Sequence, residues 1–112
     1  MADQETTIGQ LKDWVGLFVR ARHWEKYHRP RNLSESIAIE AAELLELFQW
    51  DDGRDEQNIA KSSALRNEVA DVVIYCLSLS DTAGFDLSEA IALKLRQNAE
   101  KYPVSLNSNL SK

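Results

Sequence analysis

The sequence predicts an all-α fold, a four-helix bundle, from the spacing of its apolar residues and the placing of its helix-breaking residues. In four long segments the apolar residues recur every three or four positions, which is the period of an amphipathic helix. No segment alternates apolar and polar residues in the manner of a half-buried strand. The 112 residues suit one domain, predicted over 1–112 with a helical core at about 8–103 and a frayed polar tail at 104–112.

A proline separates the first two helices. The first is predicted to run from about Thr7 to His28, because the ring of Pro30 disfavours helix in the residue before it. The second is predicted to begin near Asn32 or Ser34, where Asn32 has the spacing of a capping box, and to continue to an Asp-Asp-Gly sequence.

The second half of the chain contains a linker and two further helices. Residues 51–61 are mostly polar and are predicted to form a mobile loop. The third helix is predicted over 62–83, since Gly84 can adopt the left-handed conformation that ends many helices. The fourth is predicted to begin after Asp86, a good capping residue, and to end before Pro103. Connections of this length favour a helix bundle.

The second and third helices carry more apolar surface than one layer of helices can cover. Ala70, Ile74 and Leu77 lie opposite the main apolar stripe of the third helix, and Ile39 is similarly placed on the second. We therefore predict self-association as a homodimer or a dimer of dimers, with Ile74 and Leu77 at a contact between protomers. The alternative is that long side chains or the linker cover these residues within one chain.

Charge and cysteine content limit the possible partners and compartments. The formal net charge of −5 argues against binding to polymeric nucleic acid, which needs a basic face. A single cysteine, Cys76, excludes an internal disulfide and favours a reducing compartment. The sequence has no membrane-length apolar run and no basic leader with an apolar stretch, so we expect a cytoplasmic protein without membrane contact.

Two acidic pairs lie beside the apolar stripes of the second and third helices. Glu40 and Glu43 form the first pair, and Glu68 and Asp71 the second, each with the three-residue spacing of neighbours on a helix. Carboxylates that meet at the margin of a core repel one another unless a cation compensates, and oxygen-only ligand sets suit Mg²⁺ or Mn²⁺. The pattern predicts a divalent-metal site. The alternative is a non-catalytic oligomerisation or interaction module whose acidic face is simply solvated.

The fourth helix adds polar residues on its apolar face. Lys94 and Asn98 lie one turn apart on the face that also carries Ile91. A lysine there suits a phosphate, and an asparagine suits a sugar hydroxyl or a further phosphate oxygen. Together with the acidic pairs, these residues predict a pocket for a metal-bound polyphosphate.

Aromatic residues occur near the ends of the first two helices. Trp24 and Trp50 offer faces on which a nucleobase can stack, although a tryptophan at a helix end is as often a partly buried anchor. Tyr75 lies beside the acidic pair of the third helix. The spacing of Glu25 and His28 matches one half of a di-iron motif, but bundle oxidases need that motif on two helices, so the di-iron interpretation is not favoured.

These motifs resemble the MazG-like all-α nucleoside triphosphate pyrophosphohydrolases. The ExxE and ExxD pairs carry the general resemblance, which covers about residues 8–103. The blocks WEKYHRPRNL, ELFQW, EVADVVIY and KYP, in this order, are similar to the dCTP pyrophosphatase branch.

The resemblance implies an enzyme that hydrolyses dCTP or a modified dCTP between the α and β phosphates, for house-cleaning of the nucleotide pool. It implies a homo-oligomer with sites near subunit interfaces. The sequence leaves open which carboxylate accepts the proton, with Glu40 and Glu43 preferred if the other acidic pair mainly holds the metal. The implied Mg²⁺ ligands are Glu40, Glu43, Glu68 and Asp71. The implied substrate contacts are Trp24, His28 and Trp50 at the base, Tyr75 near the deoxyribose, and Lys94 and Asn98 at the phosphates.

Overall fold

The computed structural model describes residues 1–105, in which the chain forms helices and no strand. The helices are α1 at Ile8–Ala21, α2 at Pro30–Glu46, α3 at Glu56–Ala60, α4 at Ser63–Ala83 and α5 at Leu87–Lys101, with a 3-10 turn at Glu25–Tyr27. The all-α class is confirmed, with a fifth helix, α3, inside the segment predicted as a loop. None of the described helices is long and apolar enough to cross a membrane. Residues 106–112 of the predicted tail lie outside the described residues.

The first helix is shorter than predicted. It ends at Ala21 rather than near His28, because His23 adopts a left-handed backbone conformation with φ of 56°. The backbone N–H of Trp24 then donates to the carbonyl oxygen of Val19 at 3.1 Å, the bond that closes a Schellman motif. This turn redirects the chain into the 3-10 turn before α2.

The second helix begins earlier than predicted. Pro30 does not stop a helix here but occupies the first turn of α2, where its missing N–H costs nothing and its fixed φ suits the helix. Asn32 is therefore inside α2 and does not cap it. Its side-chain nitrogen donates instead to the carbonyl oxygen of Tyr27 at 3.1 Å, which ties the 3-10 turn to the start of α2.

The bounds predicted for the last two long helices agree with the structure. The hydroxyl of Ser62 accepts a hydrogen bond from the backbone N–H of Leu65 at 3.1 Å and caps α4. Gly84 ends α4 with φ of 78°. The carboxylate of Asp86 caps α5 by accepting from the backbone N–H of Glu89 at 2.8 Å.

One chain does not close a four-helix bundle. The most extensive helix packing is between α2 and α4, α1 packs on α4, and α5 makes only marginal contacts with the other helices. The radius of gyration is 17.5 Å, against about 13 Å for a compact domain of this length. The bundle expected from the four periodic segments is therefore reduced, within one chain, to three packed helices and an open α5.

The apolar surface is covered on one side of α4 and not on the other. Leu77 is only 2% exposed and, with Leu33, forms the buried apolar core of the described chain. The prediction that Leu77 lies at a contact between protomers is therefore wrong, because its side chain is already buried within one chain. Ile74 and Ile39 remain 41% and 59% exposed, so surplus apolar surface is present at those two positions.

Candidate metal centre and base cavity

Antiparallel packing of α2 and α4 brings the acidic pairs together. Ser36 of α2 and Tyr75 of α4 line one cavity. Further along α2, Glu40 meets Asp71, which precedes Tyr75 in the sequence. Residue numbers therefore increase along α2 in the direction in which they decrease along α4, so the two helices are antiparallel. Glu40, Glu68 and Asp71 each place one carboxylate oxygen within 4.8 Å of the other two.

Glu43 belongs to the same group of acids. Its carboxylate lies close enough to those of Glu40, on its own helix, and Glu68, on α4, to raise the pKa of both. The structure thus brings together all four acids that the sequence predicts as metal ligands. Glu40 and Glu68 are half-buried, whereas Glu43 and Asp71 are exposed. We refer to Glu40, Glu43, Glu68 and Asp71 as the acidic cluster.

The close approach of these acids raises two pKa values. The pKa of Glu40 rises to about 7, first because its protonated form donates a hydrogen bond to Glu43, and second because burial disfavours its charged form. The negative charges of the other cluster members raise it further. The pKa of Glu68 is also raised, first by burial and then by the charges of Glu43 and Asp71.

The donor set fits a hard divalent cation. Oε2 of Glu40 and Oε2 of Glu68 are buried and have no hydrogen-bond partner in the described chain. Within residues 1–105, no lysine or arginine forms an ion pair with the acidic cluster. Buried carboxylate oxygens without a partner are costly, and a cation would satisfy both at once. Oxygen-only ligands of this charge are those that Mg²⁺ and Mn²⁺ prefer.

An aromatic cavity lies beside the acidic cluster. A cavity of about 220 Å³ is lined by Trp24, His28 and Tyr75, three of the predicted substrate contacts. We refer to this aromatic cavity as the base cavity, since Trp24 and His28 are predicted to contact the base. A second cavity of about 230 Å³ is lined by the same three residues and by Asp71. The aromatic cavity and the acidic cluster therefore adjoin. The remaining residues that line the first cavity are Tyr27, Asn32, Leu33 and Ser36.

The indole of Trp24 lies against the C-terminal end of α1. The ring of Phe18 lies 5.8 Å from it, centroid to centroid, in an edge-to-face arrangement at 70°. The guanidinium of Arg22 lies 3.5 Å from the centroid of the Phe18 ring and donates to the Phe18 carbonyl oxygen at 3.0 Å. Aromatic pairs of this geometry stabilise a fixed ring orientation.

Three predicted substrate contacts are not brought to the cavity within one chain. Trp50 is 90% exposed beyond the end of α2. Lys94 is exposed and Asn98 is half-buried on α5. Neither of the two aromatic cavities has a lining residue from α5 or from the segment that contains Trp50.

The sequence-based site also lacked residues that the structure places there. Asn32 and Ser36 line the base cavity, and they precede Glu40 by eight and four residues on α2. A spacing of four keeps them on the helix face that continues to the acidic cluster. That spacing was the available signal, and it was interpreted instead as a capping pattern at Asn32.

Comparisons with known proteins identify relatives of this chain. The MazG-like family model matches residues 35–112. dCTP pyrophosphatase 1 from Bos taurus is 34% identical over 107 residues, and that from Homo sapiens is 34% identical over 106 residues. These alignments cover 92% and 91% of this chain but 63% and 62% of the relatives, so the chain spans less than two thirds of their length.

A solved structure gives the same result for the fold. The crystal structure of a pyrophosphatase from Archaeoglobus fulgidus superposes with a TM-score of 0.79 at 42% sequence identity, covering 87% of this chain and 93% of that one. The family match covers well over half of the present chain and includes both acidic pairs. This chain therefore belongs to the MazG-like family.

Proposed function

We propose that this chain is a Mg²⁺-dependent nucleoside triphosphate pyrophosphohydrolase that acts on dCTP or a modified dCTP in house-cleaning of the nucleotide pool. The observation that carries the proposal is the acidic cluster, with two unpaired buried oxygens, beside an aromatic cavity of nucleobase size. The substrate is supported by the relatives named dCTP pyrophosphatase 1. The products are the nucleoside monophosphate and pyrophosphate.

The acidic cluster would hold the metal. A divalent cation bound there would offset the charge of the triphosphate and polarise its phosphorus–oxygen bonds. Glu68 and Asp71 are assigned to holding the cation, and Glu40 and Glu43 to both holding it and orienting water. The buried oxygens of Glu40 and Glu68 support this assignment, because they have no other partner within residues 1–105.

The proton of the attacking water goes to a carboxylate on α2. Water attacks the α-phosphorus in line with the leaving pyrophosphate, a new phosphorus–oxygen bond forms, and the bond to the bridging oxygen breaks. Glu40 or Glu43 accepts the proton that the water loses. Glu40 and Glu43 lie on the same face of α2 as the base cavity. The nucleobase and the attacking water are therefore positioned by one rigid helix.

The base is assigned to the aromatic cavity. Trp24 and Tyr75 present rings there, and stacking of a base on an aromatic side chain contributes about 1–3 kcal/mol. His28 borders the same cavity and also the one that reaches Asp71. We assign the deoxyribose to the space between Tyr75 and Asp71, because both residues line this second cavity.

We further propose that the functional unit is a homodimer or tetramer. Ile91 and Leu95 of α5 are 48% and 63% exposed, and α5 has almost no partner helix in its own chain. A second copy that covers α5 would place Lys94 and Asn98 near a subunit interface, where they would contact the phosphates. The same assembly would cover Trp50, which is assigned to the base.

A direct assay tests the function. The purified chain is incubated with each deoxynucleoside triphosphate and Mg²⁺, and the products are separated. Monophosphate and pyrophosphate in equal amounts, with dCTP or a modified dCTP as the preferred substrate, are expected. Absence of turnover with every nucleotide, with Mg²⁺ or with Mn²⁺, would reject the enzyme and favour a non-catalytic interaction module.

A further inference from the structure

Asn32 is a polar residue of the base cavity to which no role has been given. It lies in the first turn of α2 and lines the cavity together with Trp24, His28 and Tyr75. The other polar side chain that α2 contributes to this cavity is Ser36. A few polar groups in a mostly aromatic cavity are the groups that fix the orientation and identity of a ligand.

The amide of Asn32 can adopt only one orientation. Its side-chain nitrogen donates to the carbonyl oxygen of Tyr27 at 3.1 Å. A carbonyl oxygen only accepts, so the Asn32 oxygen cannot take the place of the nitrogen. No residue of the described chain donates a hydrogen bond to the Asn32 Oδ1 atom. Asn32 therefore brings an acceptor with unused capacity to the lining of this cavity.

The position of Asn32 on α2 matches the length of a nucleotide. It precedes Glu40 by eight residues, which is about 12 Å along the helix axis at about 1.5 Å per residue. Asn32, Ser36, Glu40 and Glu43 fall within an arc of roughly 80° at about 100° per residue. A nucleotide whose phosphates lie at the acidic cluster can thus extend its base toward Asn32.

We propose that Asn32 selects the base, with its Oδ1 accepting a hydrogen bond from the exocyclic amino group of cytosine. This inference rests on the proposed function, which places the base of dCTP in this cavity. Uracil and thymine carry a carbonyl oxygen where cytosine carries the amino group, and that oxygen faces Oδ1 with no proton between them. An acceptor that is left without a donor discriminates against the wrong base.

Two substitutions separate base selection from structural support. Asn32→Leu removes both the acceptor and the bond to Tyr27, whereas Asn32→Asp keeps an acceptor and removes only that bond. The measurement is kcat/KM for dCTP divided by kcat/KM for dUTP, because general damage to the cavity lowers both values and cancels in the ratio. We expect the ratio to fall about tenfold in Asn32→Leu, the worth of one hydrogen bond. It should stay within about twofold in Asn32→Asp.

A matched control lies in the same helical turn. Ser34 is exposed, does not line the cavity, and bonds to the carbonyl oxygen of Pro30. Ser34→Ala should leave the ratio unchanged. If Asn32→Leu keeps the wild-type ratio, or if Asn32→Leu and Asn32→Asp lose it equally, base selection by Oδ1 is overturned while the hydrolase activity stands.

Binding of monophosphates distinguishes this inference from the proposed function. Calorimetry measures the affinity of the wild-type chain and the Asn32→Leu variant for dCMP and dUMP, with no hydrolysis involved. Wild-type preference for dCMP that disappears in Asn32→Leu supports base selection even if no triphosphate is hydrolysed. Equal affinity of the wild-type chain for the two monophosphates, or no binding of either, overturns it.

Discussion

The α2–α4 pair and α5 have similar amphipathic sequences but very different surroundings. Leu33 on α2 and Leu77 on α4 are each 2% exposed. On α5, Ile91 and Leu95 are 48% and 63% exposed, although they too have the four-residue spacing of an amphipathic helix. A periodic apolar stripe thus indicates an apolar helix face, but it does not show whether the same chain covers that face.

The largest effect is expected in the acidic cluster on the α2–α4 pair. Glu43→Gln removes a charge at nearly constant volume and should lower kcat at least about hundredfold, since even outer-sphere changes at metal sites cost 10–100-fold. Melting temperature should not fall, because the change reduces repulsion. Glu35→Gln, an exposed acid of α2 paired with Arg31, is the control. Near wild-type turnover by a stable Glu43→Gln variant would contradict the metal assignment.

The next effect concerns α5. Ile91→Glu should dissociate the assembly and lower activity, because it places a charge in the proposed contact between copies. Sedimentation velocity at micromolar concentration measures the assembly, and Gln97→Glu on the other side of α5 is the control. A monomeric wild-type chain with full activity would show that α5 needs no partner.

Mg²⁺ binding and pH should both change the stability of the α2–α4 pair, because both act on Glu40. The pKa of Glu40 is raised from 4.5 to about 7 on folding, so its contribution to stability is fully present below pH 4.5 and is lost as pH rises through about 7. Without metal, the melting temperature should therefore fall between pH 5 and pH 8. Mg²⁺ at a concentration about a hundredfold above its Kd at pH 8 should raise the free energy of unfolding at that pH by about 2.7 kcal/mol. The same concentration should raise it less at pH 6, where protonation of Glu40 weakens Mg²⁺ binding. Equal Mg²⁺ effects at both pH values would argue against binding by Glu40.

The smallest expected effect is a change in stability that distinguishes the role of Trp50 from that of Trp24. Trp50 is 90% exposed, so Trp50→Ala should change the free energy of unfolding by no more than about 0.5 kcal/mol. If the assembly brings Trp50 to the base, the same variant should bind a dCTP analogue more weakly by roughly 1–3 kcal/mol. Trp24→Ala, which also loses the contact with Phe18, should reduce both affinity and stability. Unchanged nucleotide affinity in Trp50→Ala would remove Trp50 from the site.

The sequence was most informative where a residue type has one strong conformational role. Gly84 and Asp86 end α4 and begin α5 as predicted. The end of α1 was missed because His23 adopts a conformation usually taken by glycine, and a histidine gives no warning of it. The helix α3 was missed because five residues are too few to show a helical period.

The helical periodicity of the sequence predicted only part of the candidate site. The spacing of the acids correctly predicted that Glu40, Glu68 and Asp71 would meet. It failed for Leu77, because a helix that is apolar on every side does not indicate which side faces its own chain. The role predicted for Lys94 and Asn98 depends on whether a second copy covers α5, and the pattern of a single helix does not contain that information.

The connection between α2 and α4 has a practical consequence for protein engineering. The acids lie on α2 and α4, and the base cavity is lined by these two helices and by residues 24–28. In contrast, α3 packs on α4, and the nearby residues Asp52 and Arg54 are exposed. Lengthening such a surface connection costs little, about 0.6 kcal/mol for each doubling. A reporter domain or a new chain terminus inserted near Gly53, which already has φ of 99° and no neighbouring atom within 4 Å of an added Cβ, should therefore leave the chemistry intact.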